Sequence, residues 1–475
     1  MNSALPDWLE RFRARLGAEV IETHVSWVLL ADGLAWKLKK PLKLPFLDYA
    51  TPALRHQYCV EELRLNRRFA PDLYLGLEAV DDSGEWAVRM RRFDEGQRLD
   101  HVCARAALTP AHLSGLAQLI HAFHRSAPVA APDGPFGSPA HVLGPALDNF
   151  HDLATLTPDE QPRLDPLASW TTAEFERHRE TFAARLRDGH VRECHGDLHL
   201  GNLVLLHGQV IPFDCIEFND ALRWIDVASE LAFTWMDLLD RGQPGLAAWL
   251  LNEWLSESGD FGAVPVLRFY AVYKAMVRAK VAALSRDRAG VARYLALAEH
   301  LTRPPRPRLV ITHGLSGSGK TTHSSRLLMN DPRGATLRLR SDVERKRMHG
   351  LAPLTRGSAP LYTPEATRRT YARLHELAGP ILDAGWSVVV DAAFLKRAER
   401  DDFHALATRH GADFAILACA APVETLRERL QNRRNDASDA TAAALEKQRE
   451  WVEPLDAGEQ ALVLTLPAAA GAVGP

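Results

Sequence analysis

The densest chemical signal in the chain is Gly314-Leu-Ser-Gly-Ser-Gly-Lys320-Thr321, which matches GxxxxGK[ST] in full. Gly314, Gly317 and Gly319 allow backbone N–H groups to turn inward on phosphate oxygens, and a helix starting here adds the positive end of its dipole. Ser316 and Ser318 lie within the loop, Lys320 supplies a point charge, Thr321 offers a hydroxyl to Mg²⁺, and Thr322 opens the helical segment. The expected chemistry is binding of a nucleoside triphosphate through its phosphates. Downstream, Ser341-Asp342-Val-Glu-Arg345 follows a strand at the carboxyl edge, where ligands of open α/β sheets bind. Val388-Val-Val-Asp391 is an apolar strand ending in a carboxylate, and residues 424–434 read as an Arg-rich helix able to close over a phosphoryl group.

A second cluster is His195-Gly-Asp197-Leu-His199-Leu-Gly-Asn202, followed by Ile211-Pro-Phe-Asp214. Asp197 and Asn202 have the five-residue spacing of an HRDxxxxN loop, in which the Asp receives the proton of an attacking hydroxyl and the Asn holds a metal ion. Asp214 ends a short apolar strand, the place of a second Mg²⁺ ligand. Alternation along an extended segment would also put His195, Asp197 and His199 on one side as zinc ligands. No fourth ligand accompanies them, so the histidines read as hydrogen-bonded supports of the loop.

On these residues, about 15–300 resemble the aminoglycoside phosphotransferase family, whose fold is protein-kinase-like. The resemblance implies that Asp197 is the catalytic base, Asn202 and Asp214 hold metal, and Lys37 clamps phosphate with Glu62 as its ion-pair partner. Lys39 and Lys40 are register alternatives to Lys37, and Glu61 to Glu62. Met90-Arg-Arg-Phe93 takes the place of the hinge that pairs with the nucleotide base, and Asp226 that of a structural aspartate. The first hairpin, Ile21-Glu-Thr-His-Val-Ser26, departs from kinase patterns because it has no glycine-rich loop, leaving Thr23, His24 or Ser26 to cover the phosphates.

Residues 308–455 resemble the P-loop (AAA-type) kinases of the polynucleotide kinase, zeta-toxin and gluconate kinase type. That resemblance implies Asp342 as acceptor base and Arg345 as a phosphate-binding arginine. It implies Thr321 and Asp391 at the metal, with Arg400 in the later Asp…Arg element. Lid arginines are sought among Arg429, Arg433 and Arg434.

Such sites need rigid elements to hold them. The chain has 475 residues, 46% of them hydrophobic, which calls for two or three globular cores and excludes global disorder. Strand patterns at Val25–Leu30 and Leu34–Lys40 flank an Ala31-Asp-Gly33 turn, and Thr51-Pro52 opens a helix running to Phe69. Strands at Leu73–Val80 and Glu85–Arg92 follow, and from Pro110 the chain is mainly helical. Beyond Thr302, three prolines in four positions read as a linker. After it, strands and helices alternate as in a parallel sheet.

The expected fold is therefore an α+β protein-kinase-like bilobal domain over 1–301, with an N-lobe near 15–95 and a helical C-lobe near 96–301. A linker at 302–308 leads to an α/β P-loop NTPase domain with a parallel sheet over 309–465, and 466–475 form a flexible tail.

Five scattered cysteines without a CxxC pair exclude a disulfide framework, and no segment reads as a signal peptide or membrane span, so a cytoplasmic protein is expected. Of the charges, 25 Lys and Arg against 20 Asp and Glu fall in 301–475, leaving 32 against 40 in 1–300. The two parts thus carry +5 and −8, which hints at different partners. The combined expectation is a bifunctional kinase using ATP or GTP and Mg²⁺, with a small-molecule hydroxyl acceptor for at least one domain. A nucleic-acid 5′-hydroxyl for the C-terminal domain is the alternative within the same class. A nucleotide-gated binding protein with little phosphoryl transfer is the alternative outside it. Acceptor identity and oligomeric state are not legible.

Overall fold

Alternating apolar positions near the N-terminus fold as five antiparallel strands, Glu19–Glu22, Ser26–Ala31, Leu34–Lys39, Tyr74–Val80 and Glu85–Arg91. The last strand inserts between the third and fourth, giving the order 1-2-3-5-4. Asp32 and Gly33 both take positive φ, the two-residue turn whose twist suits a hairpin. Trp27, Leu29, Trp36 and Leu38 point to one face and pack on Leu9 and Phe12 of the helix Asp7–Leu16. Burying Leu9 and Phe12 completely is worth about 1.5–3 kcal/mol each. This computed structural model describes residues 5–44, 47–357, 359–433 and 436–465. Arg434 and the tail from 466 lie outside them.

The helix Pro52–Asn66 starts as its sequence dictates, with the Thr51 hydroxyl accepting the Leu54 N–H and Pro52 in the first turn. It ends earlier than the expected Phe69. Its buried positions Cys59, Glu62 and Asn66 recur at helical spacing, so the face that packs on the sheet also carries a carboxylate inward. The mainly helical part is interrupted by two short antiparallel pairs, Val191–Glu193 with Trp224–Asp226 and Leu203–Leu206 with Gln209–Pro212. These strands frame the loop 195–202.

The chain divides into two compact units. One comprises 1–161 and 171–237, the other 162–170 and 238–475. In the second unit four parallel strands stand in the order Thr336–Arg340, Ser387–Asp391, Arg308–His313, Asp413–Ala418. Their carboxyl ends carry the Gly314 loop, Asp342 and Asp391. Prolines 304, 305 and 307 are in non-regular backbone before the first of these strands. The unit nevertheless starts upstream of them, because helices Pro244–Ser258 and Val264–Leu284 pack on this sheet and its helices.

Candidate active sites

In the N-terminal unit, residues i and i+2 of the third strand share a face, which brings both Lys37 and Lys39 to Glu62. Lys37 Nζ lies 2.9 Å from Glu62 Oε1 and also contacts Asp214, while Lys39 Nζ lies 2.8 Å from Glu62 Oε2 and contacts Glu217. Tyr49 closes this group by donating to Glu217. Burial opposes the Lys37 ammonium, but Asp214 and Glu62 outweigh it and hold its pKa well above the ordinary value. Burial likewise opposes ionised Glu62, yet Lys37 and Lys39 bring its pKa down to about 2. The register alternatives resolve by geometry. Lys40 turns away to Glu22 and the Thr23 carbonyl, and Glu61 pairs with Arg64 and Arg223.

The loop 195–202 is held by buried polar groups. Glu230 accepts the N–H groups of His195 and Gly196 at 2.6 and 3.0 Å, and Asp237 accepts that of Leu200 at 2.8 Å. Gly196 has φ +89°, and a Cβ there would meet the Leu222 carbonyl at 2.7 Å, so the turn requires glycine. His195 donates from Nε2 to the Phe213 carbonyl at 2.8 Å and accepts the Asp197 N–H at Nδ1, 3.3 Å away. Both of its ring nitrogens are thus engaged, and burial lowers its pKa. His199 accepts the Gly201 N–H at Nδ1 and has Nε2 3.5 Å from the Asp197 carboxylate. Asn202 bonds Asp197 directly, at 2.9 Å to the carboxylate.

Asp214 takes φ +64°, a conformation uncommon for a residue with a side chain, and its N–H is held by the Tyr74 hydroxyl at 3.0 Å. Asp226 accepts a bidentate Arg185 at 2.6 and 2.8 Å in the interior. In the first hairpin the Thr23 hydroxyl bonds both the carbonyl and the N–H of Ser26, closing the turn without glycine. Met90 remains within the fifth strand, paired with Ala35, and packs against the same core cluster as Phe93 and Phe213.

In the C-terminal unit the phosphate loop leaves the strand Arg308–His313 and enters the helix Lys320–Met329. Gly314 has φ +149°, and a Cβ on it would lie 2.2 Å from the Cys419 carbonyl. Lys320 Nζ bonds the carbonyls of Gly314 and Leu315, both at 2.9 Å. Its pKa is lowered by burial, with Asp391 acting against that shift. Thr321 donates to Asp391 at 2.8 Å, Arg429 reaches the Gly317 carbonyl at 3.2 Å, and Asp342 pairs with Arg345 at 3.1 Å. Arg433 leans on Asp436. The Ser318 hydroxyl is buried without a hydrogen-bond partner among the described residues. Lys320, Thr321, Asp342, Arg345, Asp391, Arg429 and Arg433 open on one cleft of about 2170 Å³, together with Ser316, Gly317, Gly319 and Thr322, whereas Gly314 and Ser318 do not line it.

Arg400 differs from the expected role. It is buried at 1% exposure, bidentate to Glu459 and bonded to four backbone carbonyls, and it does not line the cleft. Six acceptor atoms already surround it, which makes it a structural arginine. Sequence reading also misses Tyr49 and Glu217 in the first site, and Arg340, Tyr362 and Gln448 in the second. Arg340 was signalled by its place just before Ser341. Gln448, which accepts the Ser316 N–H at 2.8 Å from a distant helix, had no local signal.

Residues 42–270 match the phosphotransferase enzyme family and residues 309–455 match an AAA domain. The chain joins an APH phosphotransferase domain to a P-loop domain. Uncharacterized proteins of Mycobacterium tuberculosis and Mycobacterium bovis are 29% identical over 457 residues, covering 91% of this chain and 90% of theirs. Among solved structures, the phosphotransferase APH(2″)-IIia in complex with GDP and kanamycin matches at 14% identity, 60% of this chain, 92% of that one and TM-score 0.38. A choline/ethanolamine kinase family protein from Mesorhizobium loti matches at 12% identity, 63% and 96% coverage and TM-score 0.38. The Pnkp1/Rnl/Hen1 complex matches at 24% identity, 26% and 38% coverage and TM-score 0.22. No helix among the described residues is long and apolar enough to cross a membrane.

Proposed function

We propose that the chain is a bifunctional kinase in which each domain transfers a γ-phosphoryl group from ATP or GTP to an acceptor hydroxyl. The observation that carries this reading is the convergence of Lys37, Glu62 and Asp214 from three separate elements, beside an Asp197 held by Asn202. In the phosphotransferase domain Asp197 accepts the hydroxyl proton while that oxygen attacks the γ-phosphorus, and the bond to the β,γ-bridging oxygen breaks to release the diphosphate. Lys37, fixed by Glu62, meets the phosphates. In the P-loop domain Lys320 and the loop amides take the phosphates, Arg429 and Arg433 cover them, and Asp342 receives the acceptor proton with Arg345 beside it. Hard oxygen donors suit Mg²⁺ in both sites, Asn202 with Asp214 and Thr321 with Asp391, and the ion neutralises phosphate charge when bound.

A small-molecule alcohol is the first choice of acceptor for at least one domain, and the −8 balance of residues 1–300 favours a cationic one for the phosphotransferase domain. For the P-loop domain a nucleic-acid 5′-hydroxyl is the second reading, favoured by Lys396, Lys447 and Trp451 lining the same cleft as Asp342. The test is diphosphate release with pools of small alcohols, nucleosides and oligonucleotides, comparing Asp197→Asn, Asp342→Asn and Lys320→Ala. Acceptor-dependent turnover lost through one Asp or the other supports the assignment to that domain. Turnover unaffected by either substitution overturns it, and nucleotide binding without acceptor-dependent turnover points to a regulatory protein.

A further inference from the structure

The strand Thr336–Arg340 lies at the edge of the parallel sheet and leads directly into the helix Ser341–Met348, which carries Asp342 and Arg345. An edge strand exposes unpaired N–H and C=O groups. Here two of them are met by one side chain. Asn252, on the helix Pro244–Ser258, donates from Nδ2 to the Thr336 carbonyl at 2.9 Å and accepts the Arg338 N–H at Oδ1, 2.5 Å away. Its carboxamide stands where a further strand would pair, and it is 3% exposed.

Arg347 continues the same contact one turn beyond the acceptor element. Its Nη2 donates to the Ser256 carbonyl at 2.6 Å, and to that of Leu255 at 3.4 Å, capping the last turn of the helix that carries Asn252. Gly259 ends that helix with φ +69° directly under the guanidinium, where a Cβ would lie 2.5 Å from Nη1. Arg347 Nε also bonds the buried Glu344 at 3.1 Å, tying the clamp to the helix of Asp342. On the inner side, Arg338 reaches the Ser325 hydroxyl at 2.7 Å, on the helix that begins at Lys320. Strand, acceptor helix and phosphate-loop helix are thus fixed to one another through groups whose outer anchor is the helix Pro244–Ser258.

We propose that Asn252 and Arg347 are positioning residues of the P-loop site, and that the helix Pro244–Ser258, which lies before the proline stretch and inside the region matched by the phosphotransferase family, is a working part of the P-loop domain. This rests on the kinase reading of that domain only for its effect on turnover. The brace holds Asp342 and Arg345 against the sheet edge, whereas Lys320 is held from the phosphate loop itself, by the carbonyls of Gly314 and Leu315. Loosening the brace therefore weakens productive acceptor binding while nucleotide affinity at Lys320 is kept.

The experiment uses the full chain with Asn252→Ala, Arg347→Ala and Arg347→Lys. Hydrogen exchange over residues 336–348, nucleotide affinity of the P-loop site in an Asp197→Asn, Lys37→Ala background, and acceptor KM and kcat are read in parallel. Faster exchange is expected at the Arg338 amide in Asn252→Ala and across 341–348 in Arg347→Ala. Nucleotide affinity should stay within about twofold while acceptor KM rises about tenfold or more, with partial recovery in Arg347→Lys. Unchanged exchange in both alanine variants overturns the positioning role whatever the activity. Faster exchange with unchanged acceptor KM reduces the residues to a purely structural role and overturns it too. If no acceptor is turned over by the wild-type P-loop site, the kinase reading of that domain fails, while the exchange data still decide whether the upstream helix braces it.

Discussion

Asn202 donates from its carboxamide to Asp197 twice, to the backbone carbonyl at 3.0 Å and to the carboxylate at 2.9 Å. The five-residue spacing thus closes into a small ring that fixes the direction of the Asp197 carboxylate. Asp197→Asn should retain the fold, since the shape is kept and the carboxylate is about one-third exposed. It should lower acceptor-dependent turnover of the phosphotransferase domain by about 10²–10⁴-fold, the range for loss of a general base. Steady-state kinetics beside a thermal melt checks both halves.

Lys37 and Lys39 share Glu62 yet should fail differently. Lys37 is 14% exposed and reaches the half-exposed Asp214, so Lys37→Met should abolish turnover with a modest loss of stability. Lys39 is buried between Glu62 and Glu217, so Lys39→Met strands a carboxylate in the interior at a cost of about 3–5 kcal/mol. Urea unfolding of the two variants should separate them clearly, with the larger midpoint shift in Lys39→Met.

Much of this was legible because the informative residues are close in sequence. The phosphate loop, the 195–202 cluster and the strands around Lys37 are local patterns, and the structure places each where alternation and capping put it. Only a resemblance favours Glu62 over Glu61 in the sequence, and geometry supplies the reason, since Glu62 meets Lys37 and Lys39 of the sheet while Glu61 pairs with Arg64. What was not legible is long-range. Arg400 follows an Asp at a suggestive distance, but nothing local shows that Glu459 takes its Nε and Nη2. The proline stretch reads as a break, while Asn252 and Arg268 cross it. Arg268 bonds the carbonyls of Ala384 and Gly385 and lies over the Trp386 ring at 4.7 Å. Single polar residues on apolar helices leave no periodic trace.

The Glu62 cluster also predicts an acid-sensitive N-terminal unit. The Glu62 pKa falls from an ordinary 4.5 to about 2 in the fold, so as pH drops below 4.5 the unfolded chain takes up the proton first. The contribution of Glu62 to stability is complete above pH 4.5 and is lost progressively as pH falls toward 2. Urea midpoints measured from pH 6 to pH 3 should decline more steeply for the wild type than for Glu62→Gln, which starts lower because Lys37 and Lys39 lose their shared partner. Parallel slopes would show that Glu62 is not held ionised by these lysines.

Lys320 and Arg400 give the sharpest contrast in the second unit, because the half-buried Lys320 opens on the cleft and the buried Arg400 does not. Lys320 holds two loop carbonyls at 2.9 Å that a phosphate can replace as its partners, so Lys320→Ala should eliminate nucleotide binding by the P-loop domain with a melting temperature within a few degrees of wild type. Arg400 satisfies Glu459 and the carbonyls of Phe394, Leu395, Glu453 and Pro454 away from the cleft. Arg400→Met leaves Glu459 buried without its cation, at a cost of about 3–5 kcal/mol. It should therefore unfold the P-loop domain at lower temperature, yet keep near-normal nucleotide affinity at temperatures where it is folded. Calorimetric titration at 10 °C together with a melting curve distinguishes the two. Lost affinity in folded Arg400→Met would return that arginine to the active site.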